Sequence, residues 1–103
     1  MYMYEKYPKI PERYMKKFND TYASYIKDIT KNAKACDNLV IHDVAYFAEQ
    51  VGIIESLAYR DHFDGKLSQD EVNAISHFGS KMIIDVLTDV IKTIDKECGC
   101  KLT

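Results

Sequence analysis

Two stretches of this chain place their apolar residues at strict helical spacing, and no stretch alternates apolar with polar residues at period two. In the first, Tyr14, Met15, Phe18, Tyr22, Tyr25, Ile26, Ile29, Ala33 and Cys36 fall in one stripe. In the second, Val72, Ile75, Gly79, Met82, Ile83, Val86, Leu87, Val90 and Ile94 do the same. Residues 39–61, between them, are apolar over much more than one face. There Ile41, Val44, Ala48, Val51, Ala58 and Tyr59 form the expected central arc. Tyr46, Ile53 and Leu57 lie on a side shared with His42, Glu49, Ser56 and Arg60. These patterns specify helices and leave no segment for a sheet.

Local signals place the helix ends. Pro11 and Glu12 suit a first helical turn, the acid lying at the positive end of the helix dipole. Asp37 and Asn38 are good N-cap residues for a second helix from about Leu39 to about Asp61. No Gly or Pro enforces a break there, so one bent helix is the alternative. Ser68-x-x-Glu71 reads as a capping box opening a third helix, and Gly99 as its terminator. The expected fold is all-α: an antiparallel, up-down-up bundle of three helices of about 22–29 residues joined by short loops. Residues 1–11 form a short arm interrupted by Pro8 and Pro11, and 12–103 a single domain. The arm carries Tyr2, Tyr4 and Tyr7, many aromatics for a free tail, and is expected to pack on the body or on a partner.

Charge is divided unevenly. Residues 1–34 hold eight Lys/Arg against four Asp/Glu, and residues 35–103 hold six against twelve. Such asymmetry marks either a partner-binding half or complementary packed helices. No apolar run approaches the ~18 residues of a membrane span, and the N-terminal residues lack the apolar core of a secretory signal. Three cysteines, an odd number, read as reduced thiols in a cytoplasm, with Cys98 and Cys100 free on a frayed tail.

One loop resembles a known site. Asp64, Gly65, Leu67, Ser68 and Glu71 match the second half of the calcium loop of the EF-hand family, with Gly65 at the sharp turn and Glu71 at the last ligand position. The resemblance implies Asp64, Ser68 and Glu71 as calcium ligands. The first half departs from it: Arg60 stands where a carboxylate should bind the cation, and His62 offers nitrogen in place of oxygen. The same residues make a turn, a buried leucine and a helix cap without any metal, and that is the expected role.

Other chemistry is sparse. Glu55 falls inside the apolar arc of the second helix, where a carboxylate is costly unless paired or protonated. It reads as a structural acid bonded to a Tyr or Lys, or as one facing a gap at an interface, because no second acid or His shares its stripe. His42, His62 and His77 are scattered without metal spacing, and Cys98-Gly99-Cys100 lacks the usual zinc knuckle. There is no nucleophile elbow and no Gly-rich phosphate loop; Gly52 and Gly79 are expected to let helices approach closely. No catalysis, cofactor or small-molecule substrate is expected.

Two binding classes remain. In the first, the chain acts by binding protein, its own copies included in a homodimer or larger assembly, through Tyr2, Tyr4, Tyr7, Tyr46, Ile53 and Leu57. A small, motif-poor helical chain of this kind suits a phage or mobile-element inhibitor of a host defence protein. In the second, Lys16, Lys27, Lys31 and Lys34 form a basic face of the first helix that contacts nucleic acid. The slightly acidic whole, with pI near 5.9, weighs against that class.

Overall fold

The computed structural model describes residues 9–99. They form three helices: α1 (Glu12–Lys34), α2 (Leu39–Phe63) and α3 (Gln69–Glu97). All three pack against one another, and no strand occurs among the described residues. The described body is elongated, 48 × 22 × 18 Å. Cross-helix pairs define the antiparallel order. Tyr14 bonds Asp61 and Asn32 bonds Asp43 between α1 and α2, while Ser76 reaches Glu55 between α3 and α2.

The connections explain why the chain stops where it does. Pro11 occupies the N-cap of α1, and its carbonyl accepts the backbone N–H groups of Tyr14 and Met15 at 3.0 and 3.2 Å. At the other end of α1, the Cys36 N–H donates to Ala33 O and the Asp37 N–H to Asn32 O, at 3.2 and 2.9 Å. This pair of bonds is a Schellman motif. It places Cys36 at φ 56°, a left-handed position that glycine fills at no cost and a cysteine fills at a cost of about 1–2 kcal/mol. The backbone thus breaks without Gly or Pro, giving two helices and not one bent helix. Asp37 then caps α2, accepting the Leu39 N–H at 2.9 Å.

The same device closes α2, with Gly65 (φ 78°) at the left-handed position. Its N–H donates to His62 O, and the Lys66 N–H to Asp61 O. Two residues later, Ser68 opens α3 with a complete capping box. The Glu71 N–H donates to Ser68 Oγ at 3.1 Å, and the Ser68 N–H to Glu71 Oε1 at 2.8 Å.

The core runs the length of the bundle. Tyr14, Phe18, Phe47 and Phe78 are fully buried, with the Phe18 and Phe78 rings 5.1 Å apart and tilted. The α1 stripe is buried as expected from Tyr14 to Ala33, with Tyr25 and Ile26 partly so. Most of the α3 stripe is buried as well, joined by Phe78, while Leu87 is exposed. In α2 the expected phase needs correction. The buried residues are Val40, Phe47, Val51, Ile54 and Ala58, whereas Ile41 and Tyr59 are exposed. A helix apolar nearly all round gives periodicity little to fix its rotation.

The cysteines also need correction. Cys98 is buried, and it forms a disulfide with Cys36 across 62 residues of sequence. It is not a free thiol on a frayed tail. The bond ties the α1–α2 connection to the end of α3. It also removes the argument from cysteine usage for a reducing compartment. Cys100 lies outside the described residues, as do Tyr2, Tyr4 and Tyr7. Of the expected arm, Lys9 pairs with Asp70 at 3.2 Å and Ile10 is buried, so the chain is already docked before α1 begins. No described helix is long and apolar enough to cross a membrane.

Candidate protein-binding face

The largest departure from an ordinary soluble surface lies on α2 and α3. Leu39, Ile41, Tyr46, Ile53, Tyr59 and Phe63 on α2, and Ile84, Leu87 and Ile91 on α3, are all exposed. Advancing about 100° per residue sorts them into faces. Asp43 and Asp61, which bond residues of α1, mark the α1 side of α2. Glu55, which meets α3, marks the other side. Ile41, Ala45, Ala48, Gly52 and Tyr59 fall on the α3 side within an arc of about 60°. On α3, Ser76, Ser80, Ile83, Ile84, Leu87, Ile91 and Ile94 share the edge turned toward α2. Together they make a face on the side of the α2–α3 pair away from α1.

That face is nearly free of charge. No Asp, Glu, Lys or Arg falls on the α3 edge from Gln69 to Ile94, and Glu55 is the single such residue on the α2 arc. Glu55 is half-buried and accepts a hydrogen bond from Ser76 Oγ at 3.3 Å. Burial pushes its carboxyl pKa up, partly offset by the Ser76 bond. Its position depends on Gly79. A Cβ at that buried glycine would sit 2.6 Å from Glu55 Oε2 and 3.1 Å from Val51 Cγ1. Gly79 therefore makes room for a side chain. Gly52 does not match the expected role, because nothing lies within 4 Å of where its Cβ would be.

The residues singled out in the sequence are dispersed. Tyr46 and Ile53 are exposed and Leu57 is half-buried, on the α1 side of α2, beside His42, Glu49 and Arg60. Lys27, Lys31 and Lys34 are exposed, and with Tyr22, Ile26 and Thr30 they line a shallow depression on α1. Beside it, Tyr22, Ile26 and Ile29 of α1 and Val86, Asp89 and Val90 of α3 enclose a cleft of about 120 Å³. Burial, and then the Asp89 carboxylate, push the Tyr22 hydroxyl pKa up. Lys16 is set apart from the other lysines by its pairing with Asp20 at 2.6 Å.

In the loop that resembles a calcium site, Ser68 and Glu71 are bonded to each other in the capping box. Asp64 is exposed at the C-cap of α2. His62 turns inward, its Nδ1 donating to Leu67 O at 2.9 Å. No group of three or more metal-ligating side chains occurs among the described residues, and Cys36 and Cys98, bonded together, present no thiolate.

One polar cluster joins residues that no sequence pattern links. The Tyr14 hydroxyl donates a hydrogen bond to Asp61, Arg13 Nη2 lies 3.6 Å from the same carboxylate, and the Arg13 guanidinium sits 5.0 Å from the Tyr14 ring centre. Burial, then Asp61, push the Tyr14 hydroxyl up to about 12. The Tyr14 bond in turn holds Asp61 below the usual carboxylate range. Tyr14 lies on the core side of α1 and Asp61 on the α1 side of α2, so the cluster locks one end of the bundle. Only the α1–α2 register would have revealed it.

Comparison with protein-family models, with curated proteins and with solved structures finds no match to this chain.

Proposed function

We propose that this protein works by binding protein, and that the α2–α3 face is the surface it uses. The observation that carries this reading is the row of Ile41, Ile84, Leu87 and Ile91, which are 60, 60, 39 and 58 % exposed, on a face where Glu55 is the only acidic or basic side chain. Exposing these four side chains leaves roughly 400 Å² of apolar surface in water, within the range of the largest patch on a typical monomer, which is often functional. Depletion of charge at the centre with charged residues around it is the composition of a protein interface. Here Asp95 of α3 lies at the border of the face, next to Ile84 around the helix.

The test compares the wild-type chain with Ile84→Glu/Ile91→Glu, after circular dichroism has established equal helicity. Solution mass and the set of proteins retained from a lysate are both measured. Loss of either association in the variant is expected. An unchanged mass together with an unchanged retained set would show that this face binds nothing.

A second reading is favoured by one observation. Lys27, Lys31 and Lys34 rim the same depression on α1, beside the Tyr22 ring. That grouping fits a polyanion, including a nucleic-acid backbone. Oligonucleotide retention that falls steeply with salt and disappears in Lys27→Ala/Lys31→Ala/Lys34→Ala would support it; no retention at low salt would remove it.

A further inference from the structure

We propose that the occupant of the α2–α3 face is a second copy of this chain, related by a two-fold axis running along the bundle, so that α2 of each copy lies antiparallel on α3 of the other. The inference rests on the binding role assigned to that face above. It comes from size complementarity that the face has with itself.

The α2 side of the face is small and the α3 side is large. Ala45, Ala48 and Gly52 occupy the middle of the α2 arc, and Ile84, Leu87 and Ile91 the α3 edge. The levels of these residues along the bundle follow from two fixed points. Glu55 meets Ser76 and Gly79, and Cys36 is bonded to Cys98. Between those points Ile41 lies level with Ile91, Ala45 with Leu87, Ala48 with Ile84 and Gly52 with Ser80. A two-fold axis parallel to the helices preserves level while exchanging the two rows. It therefore sets Leu87 and Ile84 of one copy over Ala45 and Ala48 of the other at the same height, while Ile91 meets Ile41 and Ser80 meets Gly52. An axis perpendicular to the helices would instead lay α2 on α2 and α3 on α3, so that Ala45, Ala48 and Gly52 would meet only the partner's α2.

Three further observations agree. Gly52 sits inside a long helix, where glycine costs about 1 kcal/mol relative to alanine, and nothing in its own chain approaches it. A helix laid across it would account for the missing side chain. Apart from Glu55, which is turned to Ser76, the face brings no like charges together when it meets itself. The four large aliphatic residues supply roughly half of the ~800 Å² per partner that a stable interface requires, and the intervening small residues and exposed Tyr59 lie on the same face.

Size exclusion coupled to light scattering, run from micromolar to near-millimolar protein, tests the proposal. The expected result is a species of twice the 11.9 kDa chain mass. Ile84→Glu alone and Ala48→Arg alone should each weaken it on the order of a hundredfold, because every substitution acts twice in a symmetric dimer. Mixing the two variants should restore a heterodimer, since the arginine introduced in one copy would then face the glutamate introduced in the other. Ile91→Asp, at another exposed position, serves as the single-site control should Ala48→Arg lose helicity. A monomer throughout the range would overturn the second copy as occupant while leaving the face to a foreign protein. A dimer that persists unchanged in Ile84→Glu and Ile91→Asp would overturn the face itself. Variants that are both monomeric yet fail to pair on mixing would overturn the parallel axis.

Discussion

Glu55 and Gly79 show how one missing side chain accommodates one awkward charge. The carboxylate rests where a Cβ at position 79 would be, so Gly79→Ala should destabilise the fold by about 1–3 kcal/mol in chemical denaturation. In a Glu55→Ala background most of that cost should vanish, and a double-mutant cycle reads the difference as coupling. Because burial raises the Glu55 pKa, the folded state holds its proton more tightly than the unfolded chain does. Stability should therefore fall as pH rises from the ordinary carboxyl value through the folded one, then level off, and Glu55→Gln should abolish that slope. Asp61 behaves with the opposite sign. Its pKa is lowered, chiefly by Tyr14, so its contribution is complete above the ordinary carboxylate range and is lost as pH drops through the folded value. Tyr14→Phe should flatten this acid limb in urea titrations between about pH 2 and 5, the range in which carboxylates of this kind titrate. Glu55 was legible in the sequence as a charge in an apolar arc. Its partners were not, because Ser76 and Gly79 belong to another helix whose register no local pattern encodes.

At the scale of the helix, legibility followed amphipathicity. α1 and α3 each bury one stripe, and their apolar spacing located that stripe almost residue by residue. α2 is apolar on its core side and again on its α3 side, so the spacing could not separate Phe47 and Ile54, which are buried, from Ile41 and Tyr59, which are not. The break before α2 was visible only as Asp37-Asn38, since a cysteine at a left-handed position carries no sequence signature. That cysteine yields a two-sided prediction. In oxidised protein Cys36→Gly removes a cross-link that the loop-entropy model values at about 4 kcal/mol, and the melting temperature should fall. In fully reduced protein the same substitution relieves about 1 kcal/mol of backbone strain, and the melting temperature should rise by a few degrees relative to reduced wild type. Differential scanning calorimetry with and without reductant reads both arms. At the start of α3, Ser68→Ala should cost about 1 kcal/mol in either state, since it removes one half of the capping box.

For the whole molecule, the all-α bundle and its up-down-up order were readable from three helical segments and short loops. The face proposed for binding was not, because it belongs to neither α2 nor α3 alone and emerges only once their relative height and rotation are known. The side of α2 carrying Tyr46, Ile53 and Leu57 stood out in the sequence because it lies on one helix, but His42, Glu49 and Arg60 interrupt it. The disulfide has its own consequence at this scale. It closes residues 36–98 into a covalent ring that contains α2 and α3, with α1 attached as a branch. The turn bearing exposed Lys66 is the point of that ring most open to a trypsin-like protease. A single cut there should leave a nicked ring that migrates as one species on a non-reducing gel and as two fragments once the bond is reduced. Scission at the tip of the hairpin would thus free neither half of the α2–α3 face from the other.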